Sequence, residues 1–268
     1  MAETTGISWT DATWNPWIGC TKVSPGCTHC YPETEDKRRG WTHGGWGPGK
    51  PRRRTSPHYW RQLQKWNQQA SQAGIKKKVF VASLADALDP EVPAEWRRDM
   101  WNAIRPHGAL IFQVLTKRPE LAAEMLPPDW GNGWENIWFG VSVENQDYAW
   151  RIGELLKIPA AVRFLSIEPM LGPVDLAGPL GLNDRCSPFP DSAGNVDMPG
   201  GSWIDWVITG CESGPGRRPW SLEWDLDVEQ QCHTAGVAFF RKQIVLDGRV
   251  SKDAAEWPEY LRTQEFPR

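Results

Sequence analysis

Six apolar, largely β-branched runs recur along the chain, at residues 78–84, 110–116, 137–143, 162–167, 206–210 and 237–242, with helical or loop-like stretches between them. Their hydrophobicity is nearly continuous rather than alternating, which is the pattern of parallel strands covered on both faces. Successive runs start about 25 to 32 residues apart, with one longer gap between Val162 and Trp206. That spacing fits βα units joined by right-handed crossovers. Helices are expected over residues 56–72, where Pro57 suits a first turn, and over 94–104, 120–125, 147–156 and 222–235. With one more strand before or around Cys20, the expected fold class is α/β: a partial or complete TIM-like (β/α) barrel with parallel strands, built as a single domain from residues 1–268.

Two stretches lack the periodicity of that pattern. Residues 37–55 form a basic segment rich in Gly, Trp and Arg, and residues 178–202 read as a Pro/Gly-rich insertion. Long loops in compact domains tend to carry function.

Charge sharpens the picture of the first of these. From Lys37 to Lys78 there are 12 basic and no acidic residues, which leaves 18 of the 30 Lys and Arg against all 33 Asp and Glu elsewhere. Such a block attracts anionic partners. Arg38, Arg39, Arg52, Arg53 and Arg54 are interleaved with Trp41, Trp46, Tyr59, Trp60 and Trp66. Cations that track phosphates and rings that stack on bases suit single-stranded or flipped-out nucleic acid. Trp60, Leu63 and Trp66 recur every third residue and also read as core. A hydrophobic content of 40% and a mean hydropathy of -0.54 describe a globular rather than a disordered or membrane chain. No run of about 18 apolar residues is present, and residues 1–7 have neither a basic nor an apolar stretch. The expected location is the cytoplasm, with no membrane partner.

In a barrel, chemistry gathers where the strands end. Those ends carry Ser83 and Asp86; Thr116, Lys117 and Arg118; Ser142, Glu144 and Asn145; Ser166 and Glu168; Cys211 and Glu212; and Lys242 with Gln243. Helix capping accounts for one or two of them, and a shared polar pocket accounts for the set. The glycine-rich turn at 210–216 is a weak anion-binding signal without the Lys-Ser/Thr ending of a P-loop.

The sharpest motif is GCTKVSPGCTHCY at residues 19–31, which spaces Cys20, Cys27 and Cys30 as C-x6-C-x2-C. Clustered thiols in a reducing compartment point to a metal or to catalysis. Three thiolates suit an iron-sulfur cluster with one open iron. They equally suit zinc, which needs a fourth ligand such as His29 or His43 and would make the chain a zinc-stabilised nucleic-acid-binding protein without catalysis. Cys186, Cys211 and Cys232 are scattered and read as small hydrophobes.

The segment ISWTDATWNPWIGC at 7–20, running through Cys30 and Tyr31, resembles a poorly characterised family of phage and bacterial three-cysteine proteins in the radical S-adenosylmethionine superfamily. Further matches in order are VLTKRP at 114–119, GVSVE at 140–144, SIEPMLGPVD at 166–175, GCESGPGRRP at 210–219 and Lys242-Gln243. The resemblance implies a 4Fe-4S cluster on Cys20, Cys27 and Cys30, with S-adenosylmethionine on the open iron and a 5′-deoxyadenosyl radical as the reactive product. It further implies an electron donor, and a bacterial host cell if the chain is phage-encoded. By position, Ser83, Asp86, Thr116, Lys117, Ser142 and Glu144 would bind the cofactor, and Lys117, Glu168 and Glu212 would be catalytic. The expected substrate is a nucleic-acid base or nucleotide, with a partner protein as a further expectation. The superfamily's usual spacing is C-x3-C-x2-C, and an aromatic residue often stands where this chain has His29.

Overall fold

The computed structural model describes residues 5–182, 203–214 and 216–268. Cys186, most of the Pro/Gly-rich insertion and Pro215 of the glycine-rich turn lie outside the described residues. Ten strands and seven α-helices are assigned among them. They run β1 (Ala12–Trp14), β2 (Trp17–Ile18), α1 (Tyr31–Arg39), β3 (Arg53–Arg54), α2 (Pro57–Trp60), α3 (Gln62–Gln72), β4 (Lys77–Val81), α4 (Ala94–Ile104), β5 (Leu110–Thr116), α5 (Ala122–Met125), β6 (Ile137–Ser142), α6 (Trp150–Leu156), β7 (Val162–Ile167), β8 (Trp206–Gly210), α7 (Leu222–Ala235), β9 (Ala238–Leu246) and β10 (Arg249–Ser251). The main sheet has eight strands in the order β1-β4-β5-β6-β7-β8-β9-β10, and β2 pairs with β3 in a separate two-stranded ribbon. The fold is therefore mixed α/β with a mostly parallel sheet. At one edge β10 runs antiparallel to β9 in a hairpin.

All six apolar runs are strands, and the continuous burial of β6 and β8 explains why their sequences do not alternate. The extra strand expected near Cys20 is β1, which pairs parallel with β4 through Ala12 and Val79. The helix expected over 56–72 is two helices meeting at Arg61. Ser56 caps the first, accepting from the Tyr59 amide at 3.3 Å. Leu63 and Trp66 are buried, as the core reading requires, while Trp60 is half-buried.

The chain divides into two compact units: Met1–Gly140 with Ile158–Ala161, and Val141–Lys157 with Val162–Arg268. In the first, Trp14, Val79, Val81, Phe112 and Val114 form a sealed layer along β1, β4 and β5. In the second, Trp206 of β8 packs against Phe164 of β7, Phe240 of β9 and Phe266, with ring centroids 5.3 to 6.0 Å apart. Arg241 is fully buried there, paired with Asp225 and Glu229 of α7 and donating to the Leu261 carbonyl at 2.8 Å. No helix among the described residues is long and apolar enough to cross a membrane.

Candidate functional site

The three motif cysteines lie in the first unit. All are half-buried free thiols, whereas Cys211 and Cys232 are buried. Cys20 follows β2, just after a point where the backbone leaves no room for a side chain. Gly19 has φ +112°, and a Cβ on it would stand 2.3 Å from the Gly45 carbonyl oxygen. The Gly19 amide donates to the Leu84 carbonyl at 3.2 Å, and the Gly47 amide to the Cys20 carbonyl at 3.0 Å. Cys27 ends a short 3-10 turn opened by Pro25, and Cys30 is the N-cap of α1, with Pro32 in the first turn.

Arg118 connects this loop to the strand ends. Its Nη1 donates to Asp86 Oδ2 at 2.8 Å and to Cys20 Sγ at 3.6 Å, and its Nη2 to the Thr21 carbonyl at 2.6 Å. The neighbouring Asp86 carboxylate holds the Arg118 guanidinium protonated against the cost of its burial. Burial, and then Asp86, push the Cys20 thiol up to about 12. Burial also raises the Cys30 thiol, with Cys27 adding to the rise and Lys117 opposing it, so these three side chains are electrostatic neighbours.

Asp86 is held by four internal donors. Its Oδ1 accepts from Thr116 Oγ1 at 2.7 Å and the Leu88 amide at 2.9 Å, and its Oδ2 accepts from Arg118 and from the Lys117 amide at 3.1 Å. A carboxylate has about four acceptor positions, so in this structure Asp86 is filled by these donors and with Thr116 positions the loop. Ser83 exchanges hydrogen bonds with Asn15, whose Oδ1 also takes the Leu84 amide at 2.7 Å. Before it, Ala82 has φ +59°, a left-handed conformation that costs a non-glycine residue about 1–3 kcal/mol and turns the chain sharply at the end of β4.

The basic segment divides in the same way. The Arg52 side chain is fully buried, paired with Asp89 at 2.7 Å and donating to the carbonyls of Gly45, Gly47 and Lys50 and to Thr21 Oγ1. Its guanidinium closes the loop over Thr21. Arg38 and Arg39 are exposed and paired with Glu35. Arg53 is exposed and donates to the Trp41 carbonyl. Arg54 pairs with Asp99 at 2.8 Å and lies over the Trp60 ring, 4.5 Å from its centroid.

The second unit holds the remaining strand-end residues. Glu144 is fully buried against Arg151 at 2.8 Å, and Ser142 is also buried, with its carbonyl accepting from the same guanidinium. Glu212, expected to be catalytic, accepts from the Arg218 amide at 2.8 Å and from its guanidinium. Glu168 is different. It pairs with Lys242, and both side chains keep partial exposure, at 18% and 15%. Gly210 lies beneath them: a Cβ there would meet Gln243 Cγ at 3.2 Å and Glu168 Cγ and Cδ at 3.5 Å. Lys242, Gln243 and Arg118 complete the two sites. Their place at strand ends was the available signal, but no local pattern shows which acid each would face.

A family described as Protein of unknown function (DUF5131) matches residues 4–256. The chain belongs to that family. No curated protein and no solved structure matches it. In this DUF5131 chain, no three His, Cys, Asp or Glu side chains among the described residues are grouped as ligands of one metal ion. A single zinc holds thiolates at about 2.3 Å and so draws them together. A cubane cluster takes one thiolate per iron, so Cys20, Cys27 and Cys30 are the residues that could hold either group.

Proposed function

We propose that this chain is an iron-sulfur enzyme of the radical S-adenosylmethionine type, built on a partial (β/α) barrel and acting on a nucleic-acid base or nucleotide. The observation that carries the reading is the half-exposed placement of Cys20, Cys27 and Cys30 beside the ends of β4 and β5, in contrast to the buried Cys211 and Cys232. Cys20, Cys27 and Cys30 would hold a 4Fe-4S cluster, which when bound supplies one electron to the sulfonium of S-adenosylmethionine and so gives access to hydrogen abstraction. Arg118 fixes Cys20 from one side, and Lys117 offsets negative charge at Cys30. Ser83, Asp86, Thr116, Lys117, Ser142 and Glu144 are the strand-end candidates for holding the cofactor, and the side chains of Ser83, Asp86, Thr116 and Glu144 each have an internal hydrogen bond to exchange for it. Arg38, Arg39 and Arg53 are the exposed cations suited to phosphates, and Glu168 is the carboxylate suited to face a substrate.

The test is anaerobic purification with iron, sulfide and zinc analysis, then incubation with dithionite and S-adenosylmethionine. About four irons and four sulfides, with 5′-deoxyadenosine formed and both lost in Cys27→Ala, are expected. One zinc without sulfide or product would overturn the reading.

A further inference from the structure

Within the second unit, Glu168, Lys242 and Gln243 converge over Gly210 with hydrogen-bonding capacity unspent. Lys242 donates to Glu168 Oε1, and Glu168 Oε2 takes no hydrogen bond from the described residues. Gln243 is 1% exposed, and its Nε2 donates to the Cys211 carbonyl at 2.5 Å. Its Oε1 is buried without a donor among the described residues. Rotating the amide by half a turn would set Oε1 against the Cys211 carbonyl, so the orientation is fixed by its neighbour. Native folds leave few buried acceptors unsatisfied, and this one stands beside a partly exposed ion pair. The loop that carries Glu168 is held to the neighbouring strand ends, with the Met170 amide donating to the Gly210 carbonyl at 2.9 Å and the Leu171 amide to the Glu144 carbonyl at 2.7 Å.

The side chains thus present, side by side, an acceptor at Gln243, an acceptor at Glu168 and a donor at Lys242, whose ammonium has further protons beyond the one given to Glu168. The complement is a flat edge that reads donor, donor, acceptor. We propose that this site binds a guanine base by its pairing edge, with the 2-amino group toward Gln243 Oε1 and Glu168, N1–H toward Glu168 Oε2, and O6 toward Lys242 Nζ. This names the base for the nucleic-acid reading above and rests on that reading. Adenine would turn its N1 lone pair on the Glu168 carboxylate, and uracil would set a carbonyl against Gln243 Oε1. Gly210 has no side chain, which lets Glu168 and Gln243 lie over the strand end together.

Equilibrium dialysis of the full chain, purified anaerobically, against guanosine, inosine and adenosine tests this. Guanosine should bind at least about tenfold more tightly than adenosine, the discrimination of one good paired contact to a base edge. Inosine lacks the 2-amino group and should fall between them. Gln243→Met should weaken guanosine while leaving inosine unchanged, and Glu168→Gln should weaken both. The nucleoside series on the unaltered chain decides the matter even if a variant fails to fold. Adenosine binding as tightly as guanosine, or no nucleoside binding, overturns the proposal. Iron and sulfide content and 5′-deoxyadenosine formation are read separately. A chain with a working cluster that ignores guanosine overturns only this inference, and an iron-free chain that selects guanosine overturns only the earlier reading.

Discussion

At the scale of single residues, the cysteines separate by exposure, with Cys20, Cys27 and Cys30 half-buried and Cys211 and Cys232 buried. Burial, and then the Glu168 carboxylate, push the Cys211 thiol up to about 12, and burial also raises Cys232. An unfolded thiol loses its proton near its ordinary value of about 8.5. Between that value and about 12 the native chain holds more protons than the unfolded chain, so stability falls as pH rises across the window. Each pH unit within it costs about 1.4 kcal/mol per thiol. Urea unfolding at pH 8 and pH 10 should show a smaller drop for Cys211→Ala than for the parent; equal drops would remove Cys211 as a source. Arginines show how little of this a sequence discloses. Arg52 and Arg53 are adjacent and identical in type, yet one is sealed against Asp89 and the other is exposed. Likewise the acids that look most like ligands, Asp86 and Glu144, each face an arginine 32 or 7 positions away.

Elements were legible in proportion to how far their own residues decide them. The six buried strands announce themselves because burial on both faces demands unbroken apolar runs. The helices over 94–104 and 222–235 lie where the pattern puts them. The helix α1, YPETEDKRR, is invisible to the hydrophobic pattern because it has no apolar stripe. Its end signals are nevertheless present: Pro32 in its first turn, Lys37, Arg38 and Arg39 in its last, and Gly40 in the left-handed conformation that closes it. The tight crossing of Gly19 over Gly45 could not be read from sequence, since it joins segments that meet only in three dimensions. A methyl group at position 19 must displace the Gly45 carbonyl and also adopt an unfavourable φ. Gly19→Ala should therefore lower stability by at least about 1–3 kcal/mol and reduce iron retained through anaerobic gel filtration. Full iron retention with parental stability would show that the crossing does not set the position of Cys20.

For the whole molecule, the charge imbalance survives folding only in part. Arg52 is withdrawn into the interior, and Arg54 is tied to Asp99, so exposed positive charge in the segment is smaller than its composition suggests. If single-stranded nucleic acid lies on this face, Ala at positions 38, 39 and 53 should flatten the plot of log binding constant against log salt by about two units, since each phosphate contact contributes about 0.7. An unchanged slope would place the anion elsewhere or nowhere. The α/β class and the strand sequence were readable throughout. Division into two compact units was not, because β6 contributes residues to both and no linker marks the boundary.

Thr21 is gripped from far along the chain: its hydroxyl accepts from Arg52 and donates to Glu91, and its carbonyl accepts from Arg118. Arg118 leaves the ribosome 97 residues after Thr21. The contact that Arg118 makes with the cysteine loop can therefore close only once β5 has been made. If Cys20 holds the proposed cluster, its assembly is a late step of biosynthesis, and nascent chains ending before Arg118 should be poor acceptors of iron, however many of the three cysteines they already carry.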